Sequence, residues 1–266
     1  MNKLNRTVYL LPILLAAMAC DHREHRFGHE ATETITRTWP AASIRQLQVF
    51  EVSGSVTVEA GNTNEIRLTA TARGDLDLKA QAENKGLFQT VVDGDTLKIG
   101  RKEKRHRGFN FILFDRDDVE IDYKLTIPAA MALDLSTVNG RITTRGTAGE
   151  TEASTVNGTI DIETAGTEAL YATTVNGRVK AKFTRSFQGA KFKSVNGGVE
   201  AILPNDASFS VDLSQVNGDY EASFPLSVHS GPGSRRVSGE VNGGAHELKI
   251  VTVNGDIELA RLNDSL

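Results

Sequence analysis

The tripeptide Val-Asn-Gly occurs at 138–140, 156–158, 175–177, 195–197, 216–218, 241–243 and 253–255. Successive copies start 18, 19, 20, 21, 25 and 12 residues apart. A period near twenty residues marks a stacked repeat, in which each copy is one supersecondary unit that buries its apolar face against its neighbours. Two residues after the glycine stand Ile142, Ile160, Val179, Val199, Tyr220 and Ile257, the sixth copy being irregular. Five and three residues before the valine stand pairs such as Leu133 and Leu135, Leu170 and Ala172, and Leu248 and Ile250. Each copy therefore supplies two short strands with one inward face apiece. Leu135 and Val138 are three apart, so a corner or bulge is expected between them.

These columns predict an all-β, repetitive β-solenoid, β-helix or β-roll in type, with about two short strands per ~20-residue coil. Seven coils stacked in chain order at ~4.8 Å would make a rod of roughly 34 Å. The expected corners are Asn139 with Gly140, Asn157 with Gly158, Asn176 with Gly177, Asn196 with Gly197, Asn217 with Gly218, Asn242 with Gly243, and Asn254 with Gly255. Glycine takes positive φ without steric cost, asparagine tolerates it, and stacked asparagines can bond to one another along a ladder. Gly177→Val is on this basis expected to cost roughly 1–2 kcal/mol through left-handed strain. Val52-Ser53-Gly54 reads as a degenerate earlier copy. Outward positions predict the stacked charge rows Arg145–Glu163–Lys182 and Asp161–Lys180–Glu200, with Glu200 above Glu221 breaking the pattern.

Alternating segments at 52–61, 65–72, 95–100 and 118–128 extend the β pattern upstream. The expected organisation is a signal peptide at 1–19, a lipidated tether at 20–40, an N-terminal β region at 41–130 continuous with the solenoid, and the repeat solenoid at 131–262. The tether is polar and without periodicity. It carries His22, His25 and His29, which no further ligand geometry turns into a metal site, so no metal and no cofactor are expected.

The N-terminus carries Lys3 and Arg6 followed by the apolar run VYLLPILLAAMA at 8–19. Twelve residues at about 1.5 Å each are too short to cross a ~30 Å hydrocarbon layer, so a signal h-region fits better than a membrane span. Ala17-Met18-Ala19-Cys20 resembles the lipobox of bacterial lipoproteins, which implies cleavage before Cys20 and a lipid on its thiol. Cys20 is the one cysteine of the chain, which leaves no internal disulfide to form.

A net charge of -4 is too mild for a nucleic-acid partner. The chain lacks HExxH, GxSxG, P-loop and GxGxxG motifs. Carboxylates on neighbouring coils, Asp161, Glu163, Glu200 and Glu221, leave a carbohydrate-active lyase or hydrolase as an alternative, although Lys180 and Lys182 interleave with them. Residues 101–118 (RKEKRHRGFNFILFDRDD) form the best binding candidate. Arg101, Lys102, Lys104, Arg105 and Arg107 precede Phe109 and Phe111, a pairing of cation and apolar surface suited to lipid head groups. The structural alternative is a hairpin excursion whose bases pair with Asp115, Asp117 and Asp118.

The motif S/T-x-V-N-G-x-I/V, the lead-in Thr126-Ile127-Pro128 and LDLSTVNG at 133–140 resemble the bacterial putative-adhesin family. This is a domain of unknown function, built as a β-solenoid and often found in envelope proteins. The resemblance covers about residues 41–262. Together with the lipobox and the missing catalytic motifs, it leads to the expectation of a non-catalytic cell-envelope lipoprotein, lipid-anchored and facing periplasm or exterior, that presents a rigid β-surface as an adhesin-like binding or scaffold module. Expected partners are the membrane through the lipid and a glycan or another envelope protein; a component of envelope-stress sensing is a further alternative.

Overall fold

The computed structural model describes residues 31–74, 88–101, 119–231 and 234–262. Cys20, the histidine cluster and residues 102–118 lie outside them. The described chain is all-β apart from one 3-10 turn at Ala41–Ser43.

Two sheets enclose one core. The first runs, in spatial order, β1 (Ala31–Pro40), β4 (Glu65–Gly74), β7 (Glu120–Pro128), β3 (Val56–Gly61), β9 (Ile142–Thr147), β11 (Ile160–Thr164), β13 (Val179–Phe183), β15 (Val199–Leu203), β21 (Ile257–Arg261) and β17 (Tyr220–Ala222). The second runs β18 (Ser227–Gly231), β19 (Ser234–Val241), β16 (Phe209–Asn217), β20 (His246–Asn254), β14 (Ala190–Asn196), β12 (Leu170–Asn176), β10 (Thr151–Asn157), β8 (Ala132–Asn139), β2 (Gln46–Ser53), β6 (Thr96–Gly100) and β5 (Gln89–Asp93). The central strands pair in parallel, as a solenoid requires, with like residues in register: Asn139, Asn157, Asn176 and Asn196 face one another in sequence. Antiparallel strands close one end of both sheets, β4 and β1 following β7 in the first and β5 following the parallel β6 in the second. At the other end β19 and β18 close the second sheet, while the first ends on the short parallel strand β17. Such caps shield the open edges of a parallel stack.

Four expectations change. The valine of each stacked copy is not an inward residue. β8 runs unbroken to Asn139, with Leu133, Leu135 and Thr137 buried and Val138 half-buried on the outer side. The corner falls at Asn-Gly, after the valine, so no bulge separates Leu135 from Val138. The coils also do not follow chain order. β20 pairs with β14 on one side and β16 on the other, which slots the last copy between the fourth and fifth. The copy at 241–243 also leaves the stack. It ends β19, which runs antiparallel to β16, so Val241 lies opposite Phe209 instead of at the common corner. Its place in the seven-level stack is taken by Ser53 and Gly54, with Ser53 facing Asn139. The irregular spacings of 25 and 12 residues are the sequence trace of this detour. Residues 31–40, expected as the end of the tether, are strand β1, paired along its length with β4.

The core is one cluster running the length of both sheets. Near the second corner Phe183, Phe187, Phe209 and Phe224 meet edge to face, with centroids 5.0, 5.8 and 5.2 Å apart in turn. Thr144 is an exception to this apolar filling. It stands between Val58 and Ile162 in its column, fully buried, and its hydroxyl has no partner among the described residues. Valine has nearly the same shape and no hydroxyl to desolvate. Thr144→Val is expected to raise stability by about 1 kcal/mol, read as a higher urea midpoint at unchanged slope. A lower midpoint would show that the hydroxyl is satisfied.

Candidate functional site

The solenoid corner forms two side-chain ladders. On the outside, asparagine amides bond one to the next: Asn157 Nδ2 donates to Asn139 Oδ1 at 2.8 Å, and Asn176 to Asn157 at 2.8 Å. Asn196 donates to Asn176 and Asn254 to Asn196, each at 2.9 Å, and Asn217 to Asn254 at 2.8 Å. On the inside, the residue before each valine is a small hydroxyl that donates to the corner glycine carbonyl of the preceding coil. Thr155 reaches Gly140 at 3.3 Å, Thr174 reaches Gly158 at 3.2 Å, and Thr252 reaches Gly197 at 3.1 Å. Otherwise those carbonyls would face an apolar core unpaired.

The inner ladder ends in longer groups. At the far end Gln215 Nε2 donates to the Gly255 carbonyl at 2.7 Å. At the near end the hydroxyl position is Glu51, fully buried. It has no corner glycine to serve, because the adjoining chain leaves the coil at Arg101, just after Gly100 pairs with Phe50. Glu51 instead accepts. Arg101 Nε donates to its Oε1 at 2.6 Å, the Val52 amide donates at 2.9 Å, and the Tyr123 hydroxyl donates to Oε2 at 2.8 Å. Arg101 Nη2 also donates to the Val119 carbonyl. Burial, and then the Glu51 charge, push the Tyr123 hydroxyl far above the ordinary tyrosine range.

This cluster is the root of the 101–118 excursion, which departs at Arg101 and returns at Val119. Arg101 was expected among the ligand-facing bases. Its side chain is instead turned inward and committed to Glu51, which removes it from that set. Lys102, Lys104, Arg105, Arg107, Phe109 and Phe111 lie outside the described residues. The root adjoins the point where β1 begins: Thr32 faces Arg73, which faces Glu120. Two strand spacings, about 10 Å, separate them.

The outward carboxylates are mostly paired. Arg145 Nη2 meets Asp161 at 2.7 Å, Lys180 meets Glu200 at 2.6 Å, and Lys182 meets Glu163 at 3.6 Å. The predicted row Asp161–Lys180–Glu200 is present in register. Arg145 does not stack on Glu163, because the register shifts between Ile162 and Thr164 and Arg145 turns to Asp161. Glu200 and Glu221 are not adjacent; Glu258 of the intercalated coil lies between them. No group of three or more histidine, cysteine or carboxylate side chains is placed to hold a metal among the described residues.

The sequence profile of one family, Toastrack DUF4097, matches residues 40–260. The chain belongs to the Toastrack DUF4097 family. The stacked corners are thus those of a Toastrack domain, in keeping with the family resemblance carried by the repeat. The domain is also similar to three solved structures whose assigned names are putative. One is a cell adhesion protein from Clostridium sporogenes, 8% identical, covering 87% of this chain and 100% of that one, with a TM-score of 0.44. Another is an adhesin from Bacteroides fragilis, 12% identical, covering 85% and 96%, with a TM-score of 0.40. The third is a lipid binding protein from Parabacteroides distasonis, 15% identical, covering 86% and 96%, with a TM-score of 0.35. Comparison with curated proteins returns no match.

Sequence reading missed the buried Glu51 cluster in this Toastrack domain. The signal was present: Glu51-Val52-Ser53-Gly54 is in frame with Thr137-Val138-Asn139-Gly140, so the glutamate occupies the inward hydroxyl position.

Proposed function

We propose that this Toastrack protein is a non-catalytic module of the bacterial envelope, anchored through a lipid on Cys20, with the solenoid as a rigid surface for a glycan or another envelope protein. One observation carries the reading: the start of β1 and the root of the basic excursion share one edge, about 10 Å apart. Ten residues separate Cys20 from Ala31. A chain of that length reaches at most about 35 Å. A lipid at Cys20 therefore holds this edge within roughly that distance of the bilayer. The segment that leaves this edge at Arg101 carries Lys102, Lys104, Arg105 and Arg107, and a basic residue that meets anionic head groups contributes about 1 kcal/mol. Cross-strand ion pairs on Asp161, Glu163 and Glu200 favour a structural face over a glycan-cleaving one.

Membrane fractionation of the wild type against Cys20→Ser tests the anchor. Cys20→Ser is expected in the soluble fraction; equal retention in membranes overturns the anchoring. In the soluble variant, sedimentation with phosphatidylglycerol vesicles is expected to fall when the four bases are replaced by glutamine. Sedimentation unchanged by that replacement removes the head-group role and leaves the anchor standing.

A further inference from the structure

We infer that Asn242 with Gly243 is a site of spontaneous succinimide formation, and that the asparagine ladder shields the other Asn-Gly corners from the same chemistry. In this reaction the backbone nitrogen after an asparagine attacks the side-chain Cγ. An N–Cγ bond forms, the Cγ–Nδ2 bond breaks, and ammonia leaves with the proton released by the attacking nitrogen. Water then opens the ring at either carbonyl, giving aspartate or isoaspartate. Water is the only co-reactant. A following glycine favours the step, because it has no Cβ to hinder the attacking nitrogen.

A repeat built on Asn-Gly multiplies this hazard, and the stack answers it at both reacting atoms. The corner nitrogens are engaged: Gly140 donates to the Asn157 carbonyl at 3.1 Å, Gly158 to Asn176 and Gly177 to Asn196 at 3.0 Å, and Gly197 to Asn254 at 2.8 Å. The side-chain amides of Asn157, Asn176, Asn196 and Asn254 are each held from both sides in the ladder. Attack would require the nitrogen to give up its bond and the amide to rotate out of the row. Both need the coils to separate locally.

Asn242 lacks the first protection and has only part of the second. It is exposed, it lies outside the ladder, and it is the one non-glycine residue with positive φ, 50°, among the described residues. No hydrogen bond engages the Gly243 nitrogen among the described residues, and nothing lies within 4 Å of where a Gly243 Cβ would be. The Asn242 amide makes a single bond, donating to the Ala207 carbonyl at 2.9 Å. Asn217, at the end of the ladder, is intermediate. Its amide is held by Asn254, but the Gly218 nitrogen has no partner among the described residues. Conversion at Asn242 would lose the donor to Ala207. In the isoaspartate product it would also add a methylene to the backbone of the turn leading into the intercalated strand β20.

The test is peptide mapping by mass spectrometry of the wild-type chain held folded at mildly alkaline pH, beside a sample unfolded in guanidinium chloride. In the folded protein Asn242 is expected to convert at least about tenfold faster than Asn157, Asn176 or Asn196, which react only through local opening. In the unfolded sample the rates are expected to converge. Folded-state conversion at Asn242 no faster than at Asn176 overturns the inference, whether both are fast or both slow. Rates that stay apart after unfolding overturn the shielding role of the ladder.

Discussion

Gly158→Ala is expected to destabilise the protein by about 3–5 kcal/mol, because a single methyl group there has no room between coils. The added Cβ would lie 1.8 Å from the Gly140 carbonyl oxygen. That oxygen belongs to the backbone of the adjacent coil and already accepts from Thr155. It cannot retreat without parting the parallel pairing of β8 with β10. Left-handed strain is not the cause, since Gly158 is not among the positive-φ glycines of the described residues. The same close approach recurs at Gly177, whose Cβ would lie 1.8 Å from the Gly158 carbonyl oxygen. This revises the sequence-based figure for Gly177→Val upward, because the neighbouring coil, rather than the local backbone, sets the cost. Gly94→Ala is the control. Gly94 has φ of 63° and open space around it. It is expected to cost only about 1 kcal/mol. Urea unfolding of the two variants decides the matter: similar losses would mean that the coils can spread to admit a side chain.

The second large effect is expected at the root of the excursion. Arg101→Met leaves the Glu51 carboxylate buried without its cation, and removal of one partner from a buried pair typically costs about 3–5 kcal/mol. In a chain of this size that corresponds to a fall of roughly 10 °C in melting midpoint. Glu51→Gln combined with Arg101→Met removes both charges and keeps an acceptor for the Tyr123 hydroxyl. The double variant is therefore expected to recover part of the loss, and the thermodynamic cycle measures the coupling. A loss below about 1 kcal/mol for Arg101→Met would place the pair among exposed ion pairs. The root would then be no fixed platform for the bases that follow it.

The position of Glu51 shows how far sequence reasoning reaches. The repeat reveals itself because a stacked coil imposes the same demand at every level: an inward pair of apolar residues, a hydroxyl, an outward valine, an asparagine and a glycine. Where that demand repeats, as at Thr137, Thr155 and Thr174, the residues repeat with it. At the end of the stack the demand changes, and a glutamate in the hydroxyl position looks like a lapse in the pattern. What changes it is the departure of the chain at Arg101, a neighbour fifty residues away in sequence. Nothing local to Glu51 carries that information.

The order of the coils divides in the same way. Local sequence determined the β character, the two strands per coil and the Asn-Gly corners, because alternation, φ preference and the need for a residue without Cβ act within a few residues. It could not determine that the last copy sits between Asn196 and Asn217. Every copy offers the same inward face and the same amide, so any two would pair in register on chemistry alone. The choice was left to the tertiary structure. β19 turns antiparallel along β16 and carries the copy at Asn242 out of the stack, and the chain that follows it fills the gap between β14 and β16.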